Sequence, residues 1–461
     1  MDTATRMASQ VRTGRQRAID GVVSALGRAE TSHDQLNAFT LIDPSGARHR
    51  AEAIDQLVAV GKDPGPLAGV PVAIKDIIDD AGMPNSRGSS FPTELARASA
   101  TCIRGLGAAG AVIIGRTGLH EFAFGFTSEN PWFGAVRNPW DPSTSAGGSS
   151  GGSGAAVAAG VVPIAIGTDT GGSVRVPAAM CGVMGLKVTH GRISLDGVFP
   201  LVASLDTVGP IARTVDDLDA AYRAMAGDDP ADPWSQPRPV EAPVPRDPSD
   251  LRIGLVRQWM SAPMAADIRD GIDTFVEACR GIGATVAEVD APALATIPEV
   301  ATAIGPEIIA VHGARYASHP ERYGRDVGER IEASRGVDAA TVMAAERWGS
   351  RARATIDRLC AESHDVLIGP TVGALTKTIG DPDVDIDGER IFHRVALASF
   401  TAPINRMRVP ALAAPVAGTA RQGVSMQLVG PMWSEARLLG VARALEDAGV
   451  FGVRRPPIFF N

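Results

Sequence analysis

The sequence predicts an α/β fold in which buried strands alternate with helices. Its 461 residues are 45% hydrophobic and 21% charged, a composition typical of globular proteins with a sizeable core. Short β-branched runs bounded by glycine or proline are typical of buried strands. Between these runs, apolar residues recur at spacings of three and four, which predicts helices packed on the strands.

Three helices are predicted from such apolar stripes. The first stripe lies near the N-terminus and consists of Ile19, Val22, Val23 and Leu26. A second helix is predicted to begin behind Thr214, which is placed to form a capping box with Asp217, and Ser434 is predicted to cap a third. The apolar residues of these two helices are Val215, Leu218, Tyr222 and Met225, then Leu438, Leu439, Ala442 and Leu445.

Four buried strands are predicted from short apolar runs. They are AVIIG from Ala111, VVPIAIG from Val161, LRIGLV from Leu251 and DVLIGP from Asp365. The stretch 226–250 differs, because it contains seven prolines and little that favours regular structure. Two interpretations of this connector stay open, a linker between two domains and a long surface crossing within one domain.

Charge and cysteine usage exclude several classes of function. The chain has 44 Lys and Arg against 52 Asp and Glu, so its net charge of −8 argues against a broad nucleic-acid or anionic-membrane surface. Its four cysteines have neither zinc-ligand nor CxxC spacing. The N-terminal stretch lacks the apolar core of a secretory signal. We therefore expect a cytoplasmic protein that binds no nucleic acid, membrane or metal.

One glycine string imitates a dinucleotide-binding motif. Gly105, Gly107 and Gly110 form a literal GxGxxG, but the string follows a predicted helix and precedes a strand, the reverse of the order such a site needs. A helix end and a tight turn explain it better. There is also no P-loop, HExxH or GxSxG motif, so a histidine-based serine hydrolase is not indicated.

Two Gly/Ser strings carry the strongest functional signal. GGSSGGSGAAVAAG begins at Gly147 and runs into a predicted helix, so it is an ordered loop rather than a linker. GTDTGGSVRVPAAMCGVMGLK begins at Gly167, where a buried strand ends, and it places Ser173 after two glycines. A hydroxyl at a strand end beside glycine N–H groups suits an acyl-transfer nucleophile with an oxyanion hole.

A serine nucleophile needs a base, and Lys75 is the candidate. It ends the apolar run PLAGVPVAIK, where burial favours the neutral amine. Lowering its pKa from about 10.4 to near 7 costs roughly 4–5 kcal/mol. Cys181 is a possible rival nucleophile, but its apolar surroundings favour a small buried residue. His120 and His190 are interpreted as loop or cap residues.

Three strings together resemble the amidase signature family: PVAIKD, GGSSGGSG and GTDTGGSVRVPA, in this order. The resemblance extends over most of the chain, through EFAFGFTSENPWFG, MGLKVTHGRIS and SLDTVGPIART to PINRMRVPALAAP and VSMQLVG. It implies a single domain over 1–461 with a large mixed sheet flanked by helices on both faces. Its parts would be N-terminal helices (1–60), a signature core (61–225), the proline-rich connector (226–250) and the remaining sheet with a cap over the site (251–461).

The resemblance also implies the roles of individual residues. Lys75 matches the family's base, Ser173 its nucleophile, and Ser149 the serine that links them and follows a cis peptide bond. The oxyanion hole would be the N–H groups of Thr170, Gly171, Gly172 and Ser173. The supporting positions are Ser150, Asp169 and Arg175. The positions that shape the substrate pocket are Phe124, Phe126, Thr127 and Ser128.

The function implied is hydrolysis of a C–N bond through an acyl-enzyme on Ser173, without a metal or organic cofactor. We expect a small, largely apolar amide, anilide or carbamate (urethane) as substrate, and a monomer or homodimer. One alternative is the glutaminase component of a glutamyl-tRNA amidotransferase, its A subunit, and another is a catalytically silent scaffold. Two features favour the stand-alone enzyme. The A subunits usually carry Gln where this chain has Val176, and they have a tyrosine-rich segment late in the chain, whereas the second half of this sequence has few tyrosines.

Two positions depart from the family's pattern. Arg408 and Ser425 stand where the family usually has glycine, near the expected substrate entrance. If Arg408 lines the pocket, an anionic or carbonyl-rich substrate would suit it.

Overall fold

The computed structural model of the protein describes residues 2–419 and 422–460. Helices α1–α15 are Ala4–Arg12, Ala18–Leu36, Pro44–Ala59, Thr101–Ala108, Gly151–Ala158, Arg175–Cys181, Val215–Met225, Ala266–Gly281, Glu299–Thr302, Gly305–Ser318, Arg325–Ser334, Ala339–Glu362, His393–Ala398, Ala402–Arg406 and Glu435–Asp447. Strands β1–β17 are Phe39–Ile42, Pro71–Lys75, Val112–Thr117, Glu129–Asn130, Gly134–Ala135, Arg137–Asn138, Asp141–Ser145, Ile164–Thr168, Met184–Lys187, Val208–Ala212, Arg252–Val256, Thr285–Val289, Val366–Pro370, Asp383–Ile386, Glu389–Phe392, Ala411–Pro415 and Ser425–Val429.

One mixed sheet of 11 strands organises the molecule. Its order is β1-β3-β2-β8-β10-β9-β16-β17-β13-β11-β12. Strand β2 runs parallel to β3 and β8, whereas β10 is antiparallel to β8 and β9. Alternate residues of β2 point to opposite faces: Val72 and Ile74 enter one hydrophobic core and Ala73 enters another. The predicted α/β class, with a large mixed sheet covered on both faces, is confirmed.

The four predicted strands are present as β3, β8, β11 and β13, all in this sheet. Each is flanked by a neighbour on both sides, which explains why their sequences are continuously apolar rather than alternating.

The helix predictions hold with three corrections. Helix α2 buries Ile19, Val22 and Leu26, but Val23 is 37% exposed, so assigning it to the buried stripe was wrong. Thr214 caps α7 by accepting the N–H of Asp217 at 3.2 Å. The predicted capping box is only half formed, because the Asp217 carboxylate accepts the N–H groups of Ala4 and Thr5 instead of that of Thr214. Ser434 occupies the N-cap position of α15 but makes no capping bond, because its hydroxyl donates to the carbonyl of Pro431 at 2.7 Å.

The GxGxxG string joins a helix to a strand, as expected from the order of elements. Helix α4 ends at Ala108 and β3 begins at Val112. Gly110 has a φ of +87°, and a Cβ there would lie 2.2 Å from the carbonyl oxygen of Pro64. The glycine therefore serves a tight turn against a neighbouring loop.

The proline-rich connector crosses the surface between α7 and β11. Strand β9 precedes the connector and pairs with β16, which follows it. The two parts of the chain therefore share one sheet. The guanidinium of Arg192 donates to the carbonyls of Arg238 and Pro239, while Val244 is 64% exposed.

One segment of the described chain, 292–318, is long and apolar enough by length and composition to cross a membrane. The structure divides it into a 3-10 turn at Pro292–Leu294 and the helices α9 and α10. Val300 and Ile304 of this segment line the cavity described below, which accounts for part of its apolar character.

Candidate active site

The site lies where the neighbouring parallel strands β2 and β8 end. Lys75 is the last residue of β2 and Thr168 the last of β8, so both side chains lie at the same edge of the sheet. The Lys75 ammonium nitrogen lies 2.7 Å from Ser149 Oγ and 2.8 Å from Thr168 Oγ1. All three residues are buried. The topology thus brings a lysine and two hydroxyls together away from water.

Burial makes Lys75 a base that can be neutral near physiological pH. Desolvation lowers its pKa from 10.5 to about 7, while the carboxylates of Asp206 and Asp169 pull the pKa upward and limit the fall. The hydroxyls of Ser149 and Thr168 are hydrogen-bond partners of the amine, but neither carries a negative charge that would stabilise its protonated form. Lys75 can therefore accept and return a proton.

Ser149 is held by a loop with a cis peptide bond between Gly148 and Ser149. Its carbonyl accepts the N–H of His120 at 3.2 Å and the hydroxyl of Ser128 at 3.1 Å. A Cβ at Gly148 would lie 2.6 Å from the backbone nitrogen of Thr127, so only glycine fits. The loop leads directly into α5, which begins at Gly151.

Ser173 lies beside this loop. The N–H of Ser150 donates to the Ser173 carbonyl at 3.2 Å, and the Ser150 hydroxyl is hydrogen-bonded to the backbone of Thr168. Ser150 thereby joins the Ser149 loop to both β8 and Ser173. Ser173 is 3% exposed and lines a cavity, and its Oγ makes no hydrogen bond to the residues that the structure describes. Hydroxyls of this kind often align only when substrate is bound.

The turn before Ser173 presents backbone donors to the cavity. The N–H groups of Thr170, Gly171 and Ser173 have no acceptor within the described chain, and all three residues line the cavity. The N–H of Gly172 instead donates to Asp169 Oδ1 at 2.8 Å. Of the four predicted oxyanion donors, three are thus free and Gly172 is engaged.

A buried ion pair braces this turn. Both carboxylate oxygens of Asp169 accept from the guanidinium of Arg175 at 3.0 Å. Burial alone would raise the pKa of Asp169, but Arg175 holds it well below its ordinary value. The remaining Arg175 donors are satisfied by Gln427, Thr401 and Asn405, at 2.8, 3.1 and 2.6 Å. Such completeness is what a buried charge requires.

The four residues expected to shape the pocket divide by position. Phe124 and Phe126 line the cavity next to Ser173. Thr127 lines a second, more open cavity alongside it. Ser128 is fully buried and contacts the Ser149 loop, accepting the N–H of Gly151 at 3.0 Å. Ser128 therefore braces the loop, and only the two phenylalanines lie beside Ser173.

Several contributors were missed from sequence. Thr168 shares the amine of Lys75, although the GTDTGGS string contains it. Asp206 accepts the hydroxyl of Thr170. Three cavity-lining arginines were also missed: Arg330 and Arg394, which lie outside the strings that resemble the family, and Arg406, which lies in PINRMRVPALAAP. Their convergence depends on how α11, α13 and α14 pack, which no local pattern reports.

The two departures from the family's pattern lie behind the cavity wall. Arg408 bonds the carbonyl of Ser204 at 3.2 Å and Glu346 at 3.2 Å, and it does not line the cavity. Its φ of +60° explains why glycine is usual at this position. Ser425 is buried in the sheet, with its hydroxyl 3.0 Å from that of Thr371. The expectation that both lie at the substrate entrance was wrong.

Cys181, His120 and His190, the other residues considered for a catalytic role, are buried or bonded away from Ser173. Cys181 is buried, and burial raises the pKa of its thiol, so it is not an active nucleophile. His120 bonds Asp326 at 2.8 Å and His190 bonds the carbonyl of Ala203 at 2.9 Å. No cluster of three or more metal-ligating side chains occurs among residues 2–419 and 422–460.

Comparison with known proteins agrees with this arrangement. A family model described as Amidase matches residues 20–439. AtzE, which is part of the 1-carboxybiuret hydrolase of Pseudomonas sp. (strain ADP), is 35% identical over 452 residues, covering 95% of this chain and 97% of that protein. The A subunit of the glutamyl-tRNA(Gln) amidotransferase of Chloroflexus aurantiacus (strain ATCC 29366 / DSM 635 / J-10-fl) is 35% identical over 488 residues, covering 98% of each.

A solved structure gives the same answer for the fold. It was reported as an unexpected vestigial protein complex that reveals the evolutionary origins of an s-triazine catabolic enzyme. It superimposes with a TM-score of 0.90 at 34% identity and covers 98% of this chain and 100% of that chain. The chain belongs to the amidase family and is a hydrolase of carbon–nitrogen bonds other than peptide bonds.

Proposed function

We propose that the protein is a serine amidohydrolase in which Ser173 is the nucleophile, Ser149 the proton relay and Lys75 the base. The observation that carries this proposal is the buried Lys75 amine, 2.7 Å from Ser149 Oγ and at a pKa of about 7. A lysine in that state is poised to exchange a proton at neutral pH. Ser149 in turn lies in a loop that is hydrogen-bonded to the backbone of Ser173.

In the acylation step, Ser173 Oγ attacks the amide carbonyl carbon and gives up its proton to Ser149. Ser149 passes its own proton to neutral Lys75. The carbonyl oxygen becomes an oxyanion, for which the free N–H groups of Thr170 and Gly171 are the available donors together with that of Ser173. The lysine proton then returns through Ser149 to the leaving nitrogen, and the C–N bond breaks.

The second step hydrolyses the acyl-enzyme. A water molecule loses its proton along the same relay to Lys75 and attacks the ester carbonyl of acylated Ser173. The proton returns to Ser173 Oγ as the acid departs, so each cycle consumes one water and restores the starting protonation. The Asp169–Arg175 ion pair is a positioning element, because it holds the Gly172 N–H at 2.8 Å and so shapes the turn.

The cavity favours a small substrate with an apolar portion near the scissile bond. Its apolar lining comes from Phe124, Phe126, Leu201, Leu205, Val300 and Ile304. An amide, an anilide and a carbamate all present the carbonyl that this chemistry needs. We further propose that the enzyme acts in the cytoplasm on a free small molecule, as a monomer or homodimer.

The alternative is a glutaminase component of an amidotransferase. It is supported by the similarity of this chain to A subunits of the glutamyl-tRNA(Gln) amidotransferase. The side chains around the site favour the stand-alone enzyme. Val176, the position that differs from those proteins, is buried in an apolar cluster. Among the described residues that line the cavity there is no Asp or Glu to receive the ammonium group of glutamine. The silent-scaffold alternative is disfavoured because Lys75, Ser149 and Ser173 are all present.

Hydrolysis of a small panel of substrates tests the proposal. The panel comprises an anilide, an aryl carbamate, an aryl ester and glutamine, each assayed with wild type and Ser173→Ala in the absence of any partner protein. We expect turnover of the anilide or carbamate, lost by at least a thousandfold in Ser173→Ala. Turnover of glutamine alone, or only after a partner is added, would favour the amidotransferase component. Activity that survives in Ser173→Ala would remove Ser173 from the role of nucleophile.

A further inference from the structure

Three arginines line the cavity beside Ser173. Arg330 lies on α11, Arg394 on α13, and Arg406 is the last residue of α14. Charged groups inside a largely apolar cavity are costly unless each has a partner. The partners of these three side chains therefore indicate what the cavity is built to receive.

Two of the arginines have donor groups without partners. The Arg406 side chain is 3% exposed and bonds Glu346 through Nη1 at 2.8 Å. Its Nε and Nη2 are buried and have no hydrogen-bond partner within the described chain. The Arg394 side chain forms no hydrogen bond or ion pair with any residue that the structure describes. The buried donors of Arg406 lack an acceptor until a ligand supplies one. Arg394 is half-buried, so its donors are free to bind the same ligand.

The carboxylates near these arginines are fewer than the guanidinium groups. Asp326 lies 3.3 Å from Arg330 Nη2 but is also bonded to His120. Glu346 is shared by Arg406 and Arg408, at 2.8 and 3.2 Å. Glu329 acts on Arg330 at longer range, so three carboxylates face four guanidinium groups. Burial lowers the pKa of Arg330 to about 10, and the nearby charge of Arg394 lowers it as well.

The arginines are placed along one wall of the cavity that begins at the proposed oxyanion turn. Ala398 and Ala402 also line the cavity, and a Cβ at Gly171 would lie 3.8 Å from the Cβ of Ala402. Arg394 precedes Ala398 by four residues on α13, and Arg406 follows Ala402 by four on α14. Residues four apart share a helix face. The two guanidinium groups therefore flank the stretch of wall next to the turn.

We propose that the substrate is a small amide carrying a carboxylate, recognised by Arg394 and Arg406. This inference rests on the proposed function and gives its substrate class. Planar guanidinium groups bind a carboxylate through paired, charge-assisted hydrogen bonds. Arg330 and Arg394 also line the outer, more open cavity, but four basic and four acidic side chains balance there. The excess of positive charge therefore lies in the inner cavity, beside Ser173. The inner cavity therefore has a site for an anion. Among its described lining residues there is no carboxylate that could bind an ammonium group.

Kinetic comparison of matched substrates tests the proposal. Glutaramate is compared with its neutral methyl ester and with glutamine, which differs from glutaramate only by an ammonium group. N-acetyl-4-aminobenzoate and its methyl ester place the carboxylate on the amine side of the bond. We expect one of the two acids to exceed its ester at least tenfold in kcat/KM, and glutaramate to exceed glutamine by a similar factor.

Variants test whether the cavity arginines cause the preference for acids over their esters. Arg394→Gln breaks no hydrogen bond or ion pair among the described residues, and in this variant the acid-to-ester ratio should fall to within about threefold of one. Arg406→Gln should act in the same direction. Arg335→Gln is the control, because this side chain is 46% exposed and pairs with Glu332 outside the cavity. Equal turnover of acids and esters, or an acid preference that survives in Arg394→Gln, would overturn the proposal.

A binding measurement separates this inference from the proposed function. Glutarate is titrated into wild type and Arg394→Gln while the unfolding temperature is recorded, with neutral glutaramide as the control ligand. We expect glutarate alone to raise the temperature by at least 2 °C in wild type, and to have no effect on Arg394→Gln. That result without any hydrolysis would overturn the proposed function but support the carboxylate site. No stabilisation by glutarate, together with no acid preference, would overturn the carboxylate site.

Discussion

At the scale of single residues, the proposed chemistry depends on Lys75 being uncharged. The side chain is completely buried and has two hydroxyl partners rather than a carboxylate in contact with it. Desolvation therefore outweighs the longer-range attraction of Asp206 and Asp169, and the pKa falls to about 7. A carboxylate at the position of Thr168 would hold the proton on the amine and remove the base.

The pH dependence of turnover should report this pKa. Because only neutral Lys75 accepts a proton, kcat/KM should rise with pH through about 7 and level off above about 8. Below pH 6 it should fall about tenfold per pH unit. A rate that is flat from pH 5.5 to 8.5 for a substrate without titratable groups would contradict the role of Lys75.

The same burial predicts that Lys75 lowers stability. Between pH 7 and 10.5 the unfolded chain binds the lysine proton and the folded chain releases it, which opposes folding. Lys75→Met should therefore abolish turnover while leaving the unfolding temperature at pH 8 at or above that of wild type. The measurement is thermal unfolding of both proteins at pH 8. A clear loss of stability would show that Lys75 is needed for the fold rather than for the reaction.

Two adjacent glycines should differ sharply in their tolerance of a methyl group. Gly172 has a φ of +131°, and a Cβ there would lie 2.2 Å from Thr401 Oγ1, so Gly172→Ala must displace the turn. We expect at least a hundredfold loss of kcat, comparable with loss of an oxyanion donor at about 3 kcal/mol. Gly171→Ala is the matched control, since a Cβ there would lie 3.3 Å from the edge of Phe126 and 3.8 Å from the Cβ of Ala402. Equal effects of the two changes on kcat would contradict this account.

Residues inside sequence strings were predictable, whereas those brought together by packing were not. Lys75, Ser149 and Ser173 each lie in a string that identifies the family. Arg394 lies outside these strings, and Arg406 lies in PINRMRVPALAAP without any sign of a role at the site, because α13 and α14 converge on the cavity only in the folded chain. Their presence also qualifies the expectation of a largely apolar substrate.

At the scale of elements, capping separates two helices that look alike in sequence. Thr214 and Ser434 both precede an apolar stripe, yet only Thr214 accepts a backbone N–H of its helix. The Ser434 hydroxyl has a closer acceptor, the carbonyl of Pro431 at 2.7 Å. The sequence indicated where both helices begin, but the choice of partner depends on the preceding turn.

Thr214→Ala should lower the free energy of unfolding by about 1 kcal/mol, because one N–H of the first turn of α7 loses its acceptor. In a chain of this length that corresponds to a fall of about 1 °C in the unfolding temperature. Thr31→Ala is the control, since Thr31 is exposed within α2 and its hydroxyl bonds only the carbonyl of Gly27. A Thr214→Ala protein as stable as the control would show that the cap contributes nothing.

At the scale of the whole molecule, the sheet unites the two parts of the chain on either side of the connector. Strand β16 pairs with β9 on one side and with β17 on the other, so the sheet continues across that junction. Sequence composition alone left open whether the connector joins two domains, because a proline-rich crossing and a linker look the same. The order of strands in the sheet is a long-range property that composition does not report.

Proteolysis within the connector should therefore cut the chain without separating it. Residues around Val244, which is 64% exposed, lie outside helices and strands and are the expected site of cleavage. The two fragments should co-elute in size-exclusion chromatography under native conditions and separate only in denaturant. Fragments that separate in native buffer would mean that two independent domains flank the connector.

Covalent labelling tests most directly whether Ser173 is the nucleophile on which the whole account rests. An activated fluorophosphonate is incubated with the enzyme, and the product is examined by intact mass and peptide mapping. We expect one adduct per chain, located on Ser173, with activity lost in proportion, no labelling of Ser173→Ala and slow labelling of Lys75→Met. An adduct on Ser149 or Cys181 with Ser173 unmodified, or full activity in the labelled enzyme, would contradict it.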